Sequence, residues 1–278
     1  MLRRLWERLR HGADTLPYPG GTPGFPERFR GRPVLDAARC SDGCRACAAR
    51  GPSALVRPAG AGGPALDLGA CLFSPDEAAA CPEGALRFTT EHRLASRTRE
   101  GLVTATGELP SPAALQGRAR RLFGRSLRLR SVVAGSCGGC EAELVALGNV
   151  VFDMARFGVQ FVASPRHADG IVVTGTVNPN MRAALEKTYE AVPDPRLVIA
   201  VGACAIGGGP FRAGPEAGTG VPAGIPVDLY IPGCPPHPLT LMDGLLRLLG
   251  RLAPDGRRSR SAAAGELTSR PAPPTARA

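Results

Sequence analysis

Leu127-Arg128-Leu129-Arg130-Ser131-Val132-Val133-Ala134, followed at once by Gly135-Ser136-Cys137-Gly138-Gly139-Cys140-Glu141-Ala142-Glu143, is the stretch that decides the fold. Its first half is a short β-rich run. Its second half sets two cysteines among glycines, so the segment reads as a strand ending in a tight loop that opens a helix. The same pattern recurs downstream, with β-rich runs at 159–163, 170–174, 197–201 and 227–231 and helical stretches at 140–157, 180–191 and 238–251. Alternating strands and helices predict an α/β domain with a mostly parallel sheet. Cys204 follows the 197–201 run in Gly202-Ala203-Cys204, and Cys234 follows the 227–231 run in Pro232-Gly233-Cys234-Pro235-Pro236. All four cysteines therefore fall at the carboxyl ends of strands, the edge where such sheets gather ligands.

Four thiols on three loops at one rim read as a metal site. Zinc suits four cysteines as well as iron does. Structural zinc usually draws on two CxxC pairs, whereas here one CxxC joins two widely separated single cysteines set in Gly and Pro. Small neighbours let backbone N–H groups approach the sulfides of a [4Fe–4S] cluster, so the spacing favours iron–sulfur and leaves zinc open.

Composition narrows the classes further. The chain has 278 residues, enough for one large or two modest domains. It carries no apolar run long enough to cross a bilayer and no secretory leader, which places it in the cytoplasm as an expectation. Nine cysteines, an odd number in a reducing compartment, argue against a disulfide framework. The net charge of +10 divides into +9 over residues 1–130 (21 basic, 12 acidic), −3 over 131–250 (7 and 10) and +4 over 251–278 (6 and 2). Lys187 is the only lysine, so the basicity is arginine at the two ends and does not mark a nucleic-acid face. There is no Walker sequence, no GxGxxG after a strand and no HExxH; His11, His92, His167 and His237 are scattered. Neither nucleotide nor nucleic acid is expected as a ligand.

The run 135–143, then Thr174-Gly175, Val201-Gly202-Ala203-Cys204-Ala205 and Ile231-Pro232-Gly233-Cys234-Pro235-Pro236, resembles the small-subunit family shared by [NiFe] hydrogenases and respiratory complex I, over about residues 125–251. The resemblance implies a flavodoxin-like fold whose Cys137, Cys140, Cys204 and Cys234 hold a proximal [4Fe–4S] cluster facing a separate catalytic large subunit, with membrane-arm subunits beyond it. Complex I members carry two adjacent cysteines where this chain has CxxC, which aligns it with the hydrogenase and formate hydrogenlyase branch. Glu143 matches a family glutamate near the cluster, where it would relay protons or tune the potential. The plain alternative is a first-turn acid favoured by the helix dipole.

Residues 17–104 resemble the two-cluster ferredoxin subunit that accompanies such hydrogenases, including Phe29-Arg30-Gly31-Arg32-Pro33. Each half of that family carries CxxCxxCxxxCP, and the fourth cysteine of one half serves the other half's cluster. Here the first half keeps Cys40, Cys44 and Cys47, with one extra residue at 41–43 and Gly51 in the fourth place. The second half keeps Cys71 and Cys81-Pro82, with Ser74 and Glu77 between them. The resemblance implies one cluster on Cys40, Cys44, Cys47 and Cys81 and none on the other set, with Cys71 a leftover thiol. The alternative is a module that has lost both clusters and only packs.

The expected order is an amphipathic helix in 1–16, with Leu2, Leu5, Trp6 and Leu9 on one face; a small α+β ferredoxin-like module at 17–104; a linker at 105–126; the cluster domain at 127–252; and a disordered tail at 253–278. The basic helix suits peripheral contact with an anionic membrane or docking on a neighbouring subunit. The function implied is that of an electron-transfer iron–sulfur subunit of a [NiFe] hydrogenase-like or formate hydrogenlyase-like complex, with catalysis in the partner. A complex I-like NADH/quinone oxidoreductase B-type subunit and a zinc-bound scaffold without redox activity are the alternatives.

Overall fold

The computed structural model describes residues 2–12, 14–21, 23–40, 46–60, 63–105, 109–124, 126–212 and 214–253. Cys44, the inserted stretch 41–43 and the expected disordered tail beyond residue 253 lie outside the described residues. Helix α1 (Leu2–His11) opens the chain, with Arg3 paired to Glu7 one turn on. There follow β1 (Pro33–Leu35), α2 (Ala46–Arg50), β2 (Val56–Gly60), β3 (Gly63–Asp67), α3 (Pro75–Ala79), β4 (Leu86–Phe88) and β5 (Val103–Thr104). These strands make two small antiparallel sheets, β1 with β4 and β2-β3-β5. Helix α3 begins where the Ser74 hydroxyl accepts from the Asp76 N–H and Pro75 takes the first turn, a capped start that this short helix needs.

The second half carries α4 (Gly117–Phe123), β6 (Leu127–Val133), α5 (Gly139–Ala146), β7 (Val159–Phe161), β8 (Gly170–Thr174), α6 (Pro179–Ala191), β9 (Leu197–Val201), α7 (Gly202–Gly207), β10 (Leu229–Ile231) and α8 (Pro238–Leu248). Its five strands lie in the order β7-β6-β8-β9-β10, and every neighbouring pair is parallel. Counted from β6, that order is 2-1-3-4-5, the flavodoxin-like arrangement, with its switch point between β6 and β8. The α/β fold with a preceding small α+β part, expected from the sequence, is the one observed. Every residue of β8 and β9 is buried, as central parallel strands require. Ile171, Val173 and Val198 face the layer of Leu185 on α6, while Val172, Ile199 and Val201 face Leu144 of α5 and the leucines of α8. Alternate residues thus serve opposite cores.

One helix is shorter than its periodicity suggests. The stretch 140–157 is helical only to Ala146, then turns and resumes as a 3₁₀ segment at Met154–Phe157. The Asn149 side-chain oxygen accepts from the N–H groups of Val151 and Phe152, an Asx turn that competes with helix. Thr15 and Leu16 then bond the freed carbonyls of Val150 and Val151.

The two halves share packing. Ser96 and Tyr230 exchange backbone hydrogen bonds of 2.9 and 2.8 Å, laying the end of the N-terminal part along the edge strand β10. Leu68, Cys71 and Phe73 share one buried cluster with Ala200, Ala205 and Ile206. Leu115 and Ser111 of the expected linker bond to Leu248 and Arg247 on α8.

Candidate metal centre

The strand ends bring the four rim cysteines to one place. After β6 the chain turns through Gly138, whose φ of +86° starts α5 and sets Cys140 in its first turn. After β9 it enters α7 directly, with Cys204 in the middle of that turn and 8% exposed. After β10 it passes Gly233 to Cys234, and the Gly233 carbonyl accepts from the Ala203 N–H at 2.9 Å, tying the Cys204 and Cys234 loops together. Burial, then the charges of Glu141, Cys204, Cys234 and Cys137, push the Cys140 thiol far above its ordinary value. Burial and then Cys234 and Cys137 push Cys204 up to about 11, and burial, Cys137 and Glu77 raise Cys234. All four thiols therefore feel one another. Cys137 and Cys234 are exposed, and all four are free of disulfides.

Glycines leave the room these sulfurs use. A Cβ on Gly202, at φ +86°, would lie 2.6 Å from the Cys140 Sγ, and one on Gly209 would lie 2.8 Å from the Cys204 Sγ. Among the described residues no group of three or more His, Cys, Asp or Glu side chains is gathered tightly enough to hold a single metal ion. Four neighbouring thiols on three loops, cradled by glycine, fit a polynuclear cluster by the chemistry of the donor set. Beside Cys137 an open hollow of about 590 Å³ is lined by Ser136, Thr176, Asn178, Pro210 and the half-exposed Phe211.

Two glutamates flank the thiols. The Thr174 hydroxyl donates to Oε1 of Glu141, whose Oε2 is buried without a hydrogen-bond partner among the described residues. Glu143 is half-buried, and burial pushes its carboxyl up. Sequence reasoning weighted Glu143; the Thr174 hydroxyl, at the end of the neighbouring strand β8, is the contact that marks out Glu141. His237 caps α8, its Nδ1 accepting from the Leu239 N–H at 3.2 Å.

In the N-terminal part, burial and then Cys81, with Cys40 a smaller contributor, push the Cys47 thiol up. Cys40, Cys47 and Cys81 thus lie within electrostatic reach, the second half's cysteine beside the first half's pair. Cys71 is not an idle thiol. It is fully buried, donates to Oε2 of Glu77 at 3.2 Å and accepts from the Phe73 N–H at 3.3 Å. Glu77, 2% exposed, also accepts on Oε1 from the Leu72 N–H at 3.0 Å and from the Ser53 hydroxyl. Sequence reasoning discounted Glu77 as a lost ligand. A carboxylate six residues from a cysteine, followed by three alanines, was the available signal.

The family model described as NADH ubiquinone oxidoreductase, 20 Kd subunit, matches residues 137–248. The probable membrane-bound hydrogenase subunit mbhJ of Pyrococcus furiosus is 42% identical over 133 residues, 48% of this chain and 80% of that protein. The B-type NADH-quinone oxidoreductase subunit of Heliobacterium modesticaldum is 46% identical over 114 residues, 41% of this chain and 65% of that protein. A chain in a solved structure of the membrane-bound sulfane sulfur reductase, an archaeal respiratory membrane complex, is 37% identical over 47% of this chain and 72% of its own, with a TM-score of 0.42.

Proposed function

The chain belongs to the 20 kDa subunit family of NADH ubiquinone oxidoreductase and its hydrogenase relatives, and from that premise we propose that it is the electron-transfer iron–sulfur subunit of a multisubunit, group 4-type [NiFe] hydrogenase-like or formate hydrogenlyase-like complex. The observation that carries this is the convergence of Cys137, Cys140, Cys204 and Cys234 on one rim of the parallel sheet. These four would hold the proximal [4Fe–4S] cluster, and Cys40, Cys44, Cys47 and Cys81 a second. A bound cluster supplies one-electron acceptance and release.

The chain's own residues do the rest. The glycines at 202 and 209 let the sulfurs seat, and the aliphatic walls of β8 and β9 keep water from the buried side of Cys204. Cys137 and Cys234 stay exposed, and the hollow beside Cys137 with Phe211 at its mouth suits a docked large subunit that carries the catalytic centre. The CxxC spacing of Cys137 and Cys140 supports the hydrogenase branch over a quinone-reducing one, although relatives of both kinds are similar to the chain. No helix among the described residues is long and apolar enough to cross a membrane. Attachment to the cytoplasmic face would be peripheral, through α1 and the membrane-arm partners.

The test is anaerobic purification with iron and sulfide quantification and EPR of the reduced protein, for wild type and Cys81→Ala. The expected result is about eight iron falling to about four in the variant, at four per cluster. About four in both would leave the ferredoxin-like part empty, and zinc in place of iron would overturn the electron-transfer reading.

A further inference from the structure

Where the N-terminal part meets α8, a hollow of about 200 Å³ opens between Arg32, Glu91, Arg93, Ser111, Asp243 and Arg247. Its floor is charged and buried. Asp243 and Arg247 are 1% and 3% exposed, and the Arg247 Nε donates to the Asp243 Oδ2 at 2.7 Å. Arg247 also donates to the Ser111 hydroxyl at 2.7 Å, and the Tyr18 hydroxyl donates to the other oxygen of Asp243 at 2.8 Å. On the wall, Arg93 holds Glu91 through its Nε, at 2.7 Å, and through a second nitrogen. Burial works to raise the Glu91 carboxyl, but the bonds and charge of Arg93 outweigh it and hold the group at about 2. Both carboxylates of the hollow are therefore matched, each by its own arginine.

Arg32 is the third guanidinium on the lining, and it brings no carboxylate with it. Its backbone is pinned beside Glu91: its N–H donates to the Glu91 carbonyl at 2.8 Å, and its carbonyl accepts from the Thr89 N–H at 3.0 Å. A Cβ on Gly31 would lie 2.3 Å from the Glu91 carbonyl oxygen, so glycine at 31 is what lets the two segments approach. The Arg32 Nε is buried with no hydrogen-bond partner among the described residues, and the two carboxylates beside it are taken by Arg93 and Arg247. Three guanidinium groups thus line a hollow that holds two carboxylates, with one buried donor unused.

We propose that this hollow binds a small oxyanion, with the Arg32 guanidinium as its principal partner and the Arg93 and Arg247 ion pairs walling it in. A guanidinium presents its N–H donors in a planar fork that matches two oxygens of a phosphate or a carboxylate. The volume, roughly that of six or seven waters, admits inorganic phosphate or a short carboxylate and excludes a nucleotide or a peptide. Because the lining comes from both halves of the chain, a bound anion ties the N-terminal part to α8. The inference is independent of the cluster reading above. Glu108, next to the lining residue Leu109, lies outside the described residues, and a carboxylate of the chain itself is the competing occupant.

The experiment is calorimetric titration of the full chain with inorganic phosphate and, separately, with acetate, at constant ionic strength in chloride. Wild type is expected to bind one anion per chain saturably and to gain thermal stability as the anion concentration rises. The tighter of the two probes identifies the class, phosphate or carboxylate. Arg32→Gln is expected to weaken binding about tenfold or more, while Arg28→Gln, at an exposed arginine off the lining, leaves it unchanged. Ser111→Phe fills the hollow, leaves every charge in place and is expected to abolish binding; it decides the matter if thermal unfolding shows that Arg32→Gln does not fold. No saturable binding to wild type, or equal losses in Arg28→Gln and Arg32→Gln, would overturn the inference. So would binding that appears only in Glu108→Gln, because the chain's own carboxylate would then occupy the hollow.

Discussion

Gly202 and Gly138 share a backbone conformation and differ in surroundings, which makes them a matched pair for testing the rim site. Both stand at φ +86°, in the left-handed region. A Cβ on Gly138 meets nothing within 4 Å, whereas one on Gly202 would sit 2.6 Å from the Cys140 Sγ, roughly 1 Å inside an ordinary contact. Alanine at 138 therefore carries only the left-handed penalty of about 1–2 kcal/mol. Alanine at 202 carries that penalty plus overpacking of about 1–3 kcal/mol, and the sulfur it displaces is one of the four proposed ligands. Urea unfolding of the metal-free variants, compared at equal slope, should show Gly202→Ala less stable than Gly138→Ala by that second amount. Iron per chain after anaerobic loading should stay near wild type in Gly138→Ala and fall by about four in Gly202→Ala. Equal iron and equal stability in the two variants would refute the reasoning, because the Cys140 sulfur would then have no fixed place beside Gly202.

Three further outcomes follow from other parts of the molecule. Asp67, 2% exposed, takes hydrogen bonds from Arg99 and Arg57, so Asp67→Asn should cost about 1–2 kcal/mol in denaturant unfolding by weakening charge-assisted bonds to two partly solvated guanidinium groups. Burial works to raise the Asp67 carboxyl, but the bonds and charges of Arg99 and Arg57 outweigh it and hold the group below its ordinary value. A depressed carboxylate contributes stability that is present above its unfolded value and lost as pH falls through the folded one. The metal-free wild type should thus lose stability below about pH 4 more steeply than Asp67→Asn, and parallel acid limbs would contradict this assignment. Finally, full-length chain should sediment with anionic vesicles at low salt and release at high salt, and removal of residues 2–12 should abolish sedimentation; persistent binding without them would place membrane contact elsewhere.

The α/β half was legible because its signals are local. The alternation of β8 and β9 between two cores, the glycine-flanked cysteines at strand ends and the capped starts of α6 and α8 each follow from a few neighbouring residues. The early end of α5 was not legible, since the competing Asn149 turn is held by Thr15 and Leu16, more than 130 residues away. The same limit explains Glu77. Its neighbours in sequence say only that a ligand position has been lost, while its bonds to Ser53 and Cys71 depend on how the repeat folds. Glu141 was weighed below Glu143 for the same reason: its contact, Thr174, lies on another strand.

The junction between the halves gives these scattered contacts a common purpose. An exposed edge strand such as β10 is a pairing hazard, and residue 96 covers it with two backbone bonds to Tyr230. Nearby, the Tyr18 hydroxyl donates to Asp243, which is also bonded by Arg247, and Phe25 and Phe29 lie edge-on to His237 at the start of α8. These contacts involve the strand and the helix that flank Cys234. The N-terminal part is therefore fixed against the strand and the helix that flank the loop presenting one rim thiol. Holding both parts in one chain with a bonded junction keeps the Cys234 loop in a constant place relative to the Cys204 loop, to which the Gly233 carbonyl is tied by the Ala203 N–H.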